Sequence, residues 1–246
     1  MTGLVTVRIR PAIPLDGLHV CTELGYLPEG AIEMKRLQAI FKESFQKQLT
    51  HHISVLSGLT ALQESILGAG EAMIKAIEIG NKIMVCGNGG SAADAQHFST
   101  ELVARFEMER SAWPAIALTT DTSILTAIGN DYGFDSVFSR QVEAFARDGD
   151  ILVCISTSGS SPNVLKAAEA AYSKNVMTIG LLGKDGGTIC KAANLSVIIP
   201  DRVTARIQEA HSFILHYWCS MIEQQLTTSI KNTAYMEKAV DHNGNM

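Results

Sequence analysis

The chain has 246 residues and a mass of 26.5 kDa, which is enough for one large domain with a substantial core. Hydrophobic residues make up 46% and charged residues 18%, a balance that excludes a disordered chain. The net charge of −5 argues against generic nucleic-acid binding, which needs a basic excess. Mean hydropathy is +0.14, yet no run approaches the ~18 apolar residues of a membrane span, so we expect neither a nucleic-acid nor a membrane partner.

The cysteines indicate a reducing compartment. There are five of them, far apart and without a CxxC pair: Cys21, Cys86, Cys154, Cys190 and Cys219. This pattern supports neither a disulfide framework nor a cysteine zinc site. Because the first residues also lack the continuous apolar stretch of a signal peptide, we predict a cytoplasmic protein.

The N-terminal third is predicted to be an extension followed by a pair of helices. Residues 1–33 contain three of the six prolines and show no helical period, and we interpret them as an extension that is disordered or not native. Apolar residues then recur at steps of three or four from Met34 to Leu56, which predicts a long helix. A second amphipathic helix follows and is expected to stop at Gly80.

From there, short apolar runs alternate with helical segments. The predicted strands are Lys82–Cys86, Ala115–Leu118, Ile151–Ile155, Val176–Leu182 and Leu195–Ile199. The predicted helices are Ser91–Phe106, Asp135–Ala146, Pro162–Lys174 and a long one from about Thr204 to Leu226. The strands are almost continuously apolar, which is typical of a parallel sheet buried on both faces. We therefore predict one α/β domain over residues 34–230, with a five-stranded parallel sheet flanked by helices in the flavodoxin-like order 2-1-3-4-5, and a C-terminal tail at 231–246.

Two loops with small or hydroxyl-bearing residues follow the first and third strands. Gly87–Ala92 opens one helix and Ser156–Ser161 opens another. Glycines let a backbone approach a ligand closely, and serine hydroxyls beside a helix N-terminus suit a phosphate. Because the first and third strands are neighbours in the expected order, both loops are predicted to surround one ligand. The alternative is that both are simply turns and caps.

Dinucleotide binding is a weaker interpretation of the first loop. Gly87, Gly89 and Ala92 fit the pattern G-x-G-x-x-A, but the acidic residue expected about 20 positions further on is missing. The nearest candidate, Asp121, lies 34 positions after Gly87, and no Walker lysine follows the loop. We therefore expect no nucleotide cofactor.

Polar residues on two helices are candidates for catalysis. His97 and Glu101 are four apart and share one helix face. Gln208 and His216 are eight apart on the last helix, roughly 12 Å along its axis, and could converge on a ligand lying across it. The alternative is a structural histidine and a solvated pair, and spacing alone gives little support for a metal. The segment Gly129–Phe134 is either a plain turn or a further contributor to the site.

Several motifs, in order, resemble the phosphoheptose isomerases, which are built on the sugar-isomerase (SIS) fold. The similarity runs from about Met34 to Gln225, and residues 1–33 have no recognised counterpart. The motifs are Cys86–Ser91 with Asp94, His97 and Glu101, then Gly129–Asp131, Ser156–Gly159, and Arg206–Glu209 with His216. One small departure is Ser160, where asparagine is common in the family.

The resemblance implies an activity and a set of site residues. The expected reaction converts sedoheptulose 7-phosphate into D-glycero-D-manno-heptose 7-phosphate, the first step towards ADP- or GDP-heptose for lipopolysaccharide or other surface glycans. The phosphate is expected at Ser156, Thr157, Ser158 and Ser161. The rest of the sugar is expected at Asn88, Gly89, Gly90, Ser91, Glu101, Asn130, Asp131 and Gln208. Glu101 and His216 match the acid/base positions.

The resemblance also implies a homotetramer with active sites at subunit interfaces. Some members bind one zinc ion per site, through residues that match His97, Glu101, Gln208 and His216. The alternative comes from related SIS proteins that associate with the replication initiator and act as tetrameric binding scaffolds. They share the first loop and the run Arg206–Glu209, but His216 favours the enzyme.

Overall fold

The computed structural model describes the backbone of residues 29–243 and the side chains of residues 34–227. The chain divides after Lys47 into two compact units. The described part of the first is the beginning of a long helix, and the second, from Gln48, holds the rest of that helix and all other elements. The expectation for residues 1–28 lies outside the described residues.

The second unit alternates strands and helices along the chain. The helices are α1 (Glu29–Gly58, shared with the first unit), α2 (Gln63–Glu78), α3 (Gly90–Val103), α4 (Thr122–Tyr132), α5 (Ser139–Phe145), α6 (Pro162–Tyr172), α7 (Ile189–Ala192) and α8 (Thr204–Asn243). The strands are β1 (Ile83–Gly87), β2 (Ala115–Ala117), β3 (Ile151–Ser156), β4 (Met177–Gly183) and β5 (Leu195–Ile199). Short 3-10 turns lie at Leu59–Leu62 and Phe134–Ser136.

The predicted sheet is confirmed. Its five strands are all parallel and lie in the order β2-β1-β3-β4-β5. Alternate residues of β1 enter different cores: Ile83 and Val85 pack into one cluster, and Met84 and Cys86 into the other. Because both faces are buried, the strands are continuously apolar, which is why the sequence pattern identified them.

Helices on the two faces cover these clusters. Residues of α2, α3 and α8 contribute to one cluster, and residues of α5 and α6 to the other. Trp218 of α8 is fully buried, and its indole N–H donates to the carbonyl oxygen of Ile66 in α2 at 2.8 Å. That bond satisfies the ring's polar atom and ties the last helix to the second.

The structure corrects several predicted helix boundaries. Helix α4 was not predicted, because none of its residues is buried and its apolar period is therefore weak. Its start is nevertheless capped, since the carboxylate of Asp121 accepts the N–H of Ile124 at 2.9 Å. The helix predicted over Asp135–Ala146 is shorter and follows a 3-10 turn.

The terminal helices are also longer than expected. Helix α1 begins at Glu29, so residues 29–33 are helical rather than part of the extension. Helix α8 continues as one helix through the predicted boundary at 230/231. The domain boundaries at 34 and 230 stay predictions. No helix among the described residues combines the length and the apolar character needed to cross a membrane.

Candidate active site

The two loops predicted to bind the ligand lie side by side, because β1 and β3 are paired neighbours that end together. In the first loop, Gly89 precedes α3 and has a φ of +55°, a left-handed conformation that favours glycine. Ser91 is only 4% exposed, so its hydroxyl offers little surface to a ligand. The main chain of the loop is therefore the part best placed to meet a substrate.

The second loop gathers its hydroxyl groups. The Ser156 hydroxyl lies 3.1 Å from that of Ser161 and 3.4 Å from that of Ser158. Gly159 holds the turn in a left-handed conformation, with φ +65°, against the backbone of Gly186. Ser161 is the N-cap residue of α6, yet its side chain makes no capping bond, so the amides of the first turn remain available to an anion.

Glu101 and His216 face one small cleft between α3 and α8. His97 lies between them: its Nε2 is 3.0 Å from Oε1 of Glu101, and its ring meets that of His216 edge-on at a centroid distance of 5.0 Å. The ring of Phe106 stacks on His216 at 5.7 Å. The cleft holds about 10 Å³, the space of one water molecule. The structure thus brings together a carboxylate and two imidazoles from separate helices.

Asp94 is a further acidic group in this cleft, for which the sequence analysis predicted no role beyond membership of a motif. Its Oδ1 accepts the hydroxyl of Ser212 at 3.3 Å, while its Oδ2 is buried without a described hydrogen-bond partner. Burial raises the pKa of this carboxyl, against the opposing effects of Ser212, His97 and His216. A cation or a proton donor beside Oδ2 would relieve that cost.

Gln208 lies at the first loop and not among the residues lining the cleft. Its amide is packed against Gly90 so closely that a side-chain carbon at position 90 would overlap the Gln208 nitrogen. The glycine is therefore needed for the approach of α8 to the loop. Of the four residues expected to hold zinc, His97, Glu101 and His216 line one cleft, whereas Gln208 packs against Gly90 and is not part of that lining.

Asn130 and Asp131 are not where the sequence placed them. They lie in the last turn of α4, not in a loop, and both are exposed. The Asn130 amide donates to Asp131 Oδ1 at 2.7 Å, and neither residue lines the cleft of Glu101 and His216.

The donor types at the cleft fit zinc, but no complete ligand set is assembled. Two imidazoles and a carboxylate are common zinc ligands, and the unpartnered Asp94 oxygen adds negative charge nearby. Over the described side chains, however, no group of three or more His, Cys, Asp or Glu residues is arranged to hold a metal ion. Zinc binding is thus supported by donor chemistry alone.

Sequence reasoning missed two contacts that organise the site. Asn163, at the start of α6, exchanges two hydrogen bonds with Asn88 of the first loop. Glu223 of α8 accepts three main-chain N–H groups from the segment after α3. Asn163 lies directly after the second loop, the serine loop Ser156–Ser161, and this position could have indicated a role at the site. Nothing in the sequence links Glu223 to the segment after α3.

The fold and the two neighbouring loops indicate the class of protein domain that this chain contains. Residues 45–183 match the SIS domain family. Strands β1 to β4, both ligand loops and the N-terminus of α6 lie within this range, and β5 follows it. The chain therefore carries a SIS domain.

Comparison with individual proteins identifies the family within this class to which the chain belongs. The chain is 57% identical over 180 residues to the phosphoheptose isomerase of Citrifermentans bemidjiense, covering 73% of this chain and 94% of that protein. It is 55% identical over 185 residues to that of Geobacter sp. strain M21, covering 75% and 96%. The solved phosphoheptose isomerase of Neisseria gonorrhoeae superposes with a TM-score of 0.66 at 44% identity, covering 78% and 98%. The chain belongs to the phosphoheptose isomerase family, and none of these relatives supports the initiator-binding alternative.

Proposed function

We propose that this protein isomerises sedoheptulose 7-phosphate to D-glycero-D-manno-heptose 7-phosphate. The observation that carries the proposal is the cleft in which Glu101 and His216 meet around His97. The relatives named above are phosphoheptose isomerases, and the residues that match the family's acid/base positions lie together. Sugar phosphates are charged and do not cross a bilayer unaided, which supports the predicted cytoplasmic location.

The substrate would be held at its two ends. The phosphate fits the second loop, where the hydroxyls of Ser158 and Ser161 and the free amides of α6 offer several donors to one anion. The cleft is too small for a whole heptose. Only the reacting end, carbons 1 and 2, would approach Glu101 and His216, while the main chain of the first loop meets the hydroxyls in between.

The chemistry is a proton transfer between neighbouring carbons. A base removes a proton from carbon 1 of the ketose, the electrons form a carbon–carbon double bond, and the carbonyl oxygen on carbon 2 takes up a proton. The resulting enediol then loses the hydroxyl proton on carbon 1, forming the aldehyde, while carbon 2 is protonated. Glu101 and His216 are proposed as the groups that carry these protons, each contributing a factor of roughly 10²–10⁴ to the rate.

His97 and Phe106 would orient this pair. The bond between His97 and Glu101 fixes the carboxylate, because it occupies one of its oxygens and leaves the other free. Phe106 stacks on one face of His216, whose ring is otherwise exposed in the single chain, and restrains the orientation of that ring. A group restrained in this way keeps its proton-transfer geometry between turnovers.

We also propose that zinc binds at this cleft. His97, Glu101 and His216 would supply ligands, and Gln208 of α8 would have to turn from Gly90 towards the cleft to supply a fourth. When bound, zinc would polarise the oxygen atoms of the carbonyl or enediolate. We expect about one zinc per site by elemental analysis of protein purified without chelators, and a reversible loss of turnover after chelation. Full activity in metal-free protein would rule out a role for zinc in turnover.

Finally, we propose a homotetramer with active sites at subunit interfaces. Large apolar side chains on α1 are exposed in the single chain, with Phe41 and Phe45 each 66% exposed. Such a surface is unusual for a monomer and suits a helix–helix contact with other copies. Light scattering is expected to give a tetramer for the unmodified chain and a smaller species for Phe41→Glu/Phe45→Glu. A fully active monomer of the unmodified chain would contradict this assembly.

The test of the isomerase activity is the variant Glu101→Gln. It keeps the shape of the side chain but cannot take up a proton, so turnover of sedoheptulose 7-phosphate is expected to fall at least a hundredfold while binding persists. Glu109→Gln is the matched control, because Glu109 is a 92% exposed carboxylate in the segment just after α3. Near-normal turnover by Glu101→Gln, or no turnover by the unmodified protein, would refute the proposal.

A further inference from the structure

Asn88 and Asn163 form a reciprocal pair of amide hydrogen bonds. The Asn88 Nδ2 donates to Asn163 Oδ1 at 2.8 Å, and the Asn163 Nδ2 donates to Asn88 Oδ1 at 2.9 Å. Asn163 is 2% exposed and Asn88 is partly buried. Turning one amide over alone would set oxygen against oxygen and nitrogen against nitrogen, so the orientations of the two amides depend on each other.

This pair joins the two loops that meet the substrate. Asn88 belongs to the loop after β1, and Asn163 lies in the first turn of α6, two residues beyond Ser161. The main-chain ladder between β1 and β3 ends at Gly87 and Ile155. Beyond that level, the side chains of Asn88 and Asn163 connect the two loops.

The pair also changes the role of Asn88. Family resemblance assigned this residue to the substrate, but one donor and one acceptor of its amide are engaged by a buried partner. Burial makes these two bonds costly to leave unmade, since a buried amide without a partner loses its hydration without compensation. The side chain of Asn88 is therefore turned towards α6.

We infer that Asn163 is a positioning residue which, through Asn88, fixes the distance between the phosphate-binding loop and the sugar-binding loop. A seven-carbon substrate held by its phosphate reaches the acid/base pair correctly only if that distance is constant, because a shift of about 1 Å can cost two orders of magnitude in rate. The inference rests on the proposed function, since it needs a ligand that spans both loops.

The test compares a ligand that spans the loops with one that does not. Inorganic phosphate requires the serine loop alone, whereas sedoheptulose 7-phosphate requires both loops. For Asn163→Ala, we expect the dissociation constant of phosphate to stay within about twofold of the unmodified protein. The KM for the sugar phosphate should rise at least tenfold, and Asn163→Asp should not rescue it, because one carboxylate oxygen would then face Asn88 Oδ1 at a buried position.

A double-mutant cycle tests the route through Asn88. If Asn88 acts through Asn163, the variants Asn88→Ala, Asn163→Ala and the double variant should show similar losses of sugar-phosphate affinity. Gln141→Leu is the matched control: Gln141 is a buried amide, 4% exposed, that donates to the carbonyls of Leu118 and Val137 and not to either loop. Gln141→Leu should lower stability, but it should not weaken sugar-phosphate binding more than phosphate binding.

Three results would overturn the inference. They are equal weakening of phosphate and sugar phosphate, unchanged KM in folded Asn163→Ala and Asn163→Asp, and additive losses in the cycle, which would place Asn88 directly on the sugar. A failure of the proposed function would be visible earlier, as a lack of turnover by the unmodified protein, and would overturn both.

Discussion

Arg110 and Glu223 form a fully buried ion pair, with Nε 3.0 Å from Oε1 and only 3% and 2% of the two side chains exposed. The guanidinium of Arg110 also donates to the carbonyl oxygens of Glu101, at 2.6 Å, and Leu102, at 2.8 Å. Glu101 and Leu102 lie in the last turn of α3. The pair therefore ties α8 to the backbone of the proposed catalytic carboxylate.

The carboxylate of Glu223 also accepts hydrogen bonds from the main chain after α3. It accepts the main-chain N–H groups of Phe106, Glu107 and Met108 at 2.9–3.0 Å. These backbone bonds, together with Arg110, hold the pKa of Glu223 below its ordinary value despite burial. Phe106 stacks on His216, so the same carboxylate positions the residue that covers the second acid/base group.

Removing one member of this pair should be strongly destabilising. Arg110→Met leaves a buried carboxylate without its counter-ion, and we expect the free energy of unfolding to fall by about 3–5 kcal/mol in urea titrations. Arg105→Met is the control, because the Arg105–Glu109 pair is exposed and loosely spaced at 3.9 Å. Equal losses in the two variants would show that the buried pair has no special weight.

The serine loop should bind phosphate through its hydroxyls. Replacing both Ser158 and Ser161 with Ala removes donors to the anion, and sugar-phosphate affinity is expected to fall at least tenfold by calorimetry. Stability should change little, because the Ser161 side chain does not cap α6. Ser160→Ala, an exposed hydroxyl of the same loop, should bind normally. Unchanged affinity in the double variant would mean that the loop is only a turn.

Gly90→Ala should displace Gln208. The added carbon would overlap the Gln208 amide, and that flexible side chain can move away more easily than the backbone can. We expect a higher KM with little loss of thermal stability, and no further effect of the substitution in a Gln208→Ala background. Gly68→Ala is the control, since its new carbon would make an ordinary contact with Leu195 at 3.5 Å. An additive effect would show that Gly90 acts independently of Gln208.

His211 should make the fold less stable in mild acid. Its ring is fully buried, its Nε2 donates to the carbonyl of Leu182 at 3.2 Å, and burial lowers its pKa to about 4. Above pH ~6.5 the imidazole is neutral in both the folded and unfolded chain and contributes no pH dependence. As the pH falls from ~6.5 to about 4, the unfolded chain takes up a proton that the folded chain refuses, so stability drops by roughly 3 kcal/mol.

The comparison with His211→Gln isolates this contribution. Glutamine does not titrate and can donate its amide to the same carbonyl, so its free energy of unfolding should fall less between pH 6.5 and 4. Urea titrations at several pH values give the two curves. Parallel curves for the variant and the unmodified protein would assign the acid sensitivity to other groups.

The sheet could be predicted because both of its faces are buried. Val85 and Cys86 point into opposite cores, so β1 has no polar side, and the same holds for β3. The two ligand loops then followed from strand order. Helix α4 was not predicted because none of its residues is fully buried, although Leu125 and Ile128 pack against the core, and Asn130 and Asp131 were therefore expected in a loop.

By itself, the sequence determined the parallel sheet and the family motifs, since these depend on local hydrophobic pattern and on contiguous residues. The strand order was expected because it is common in such sheets, and the structure confirms it. Tertiary structure alone decided that Glu101 and His216, 115 positions apart, share a cleft. It also decided that Asn163 holds Asn88 and that Glu223 anchors the backbone after α3. Such contacts join residues distant along the chain, and they are fixed by how helices pack on the sheet, which no local pattern encodes.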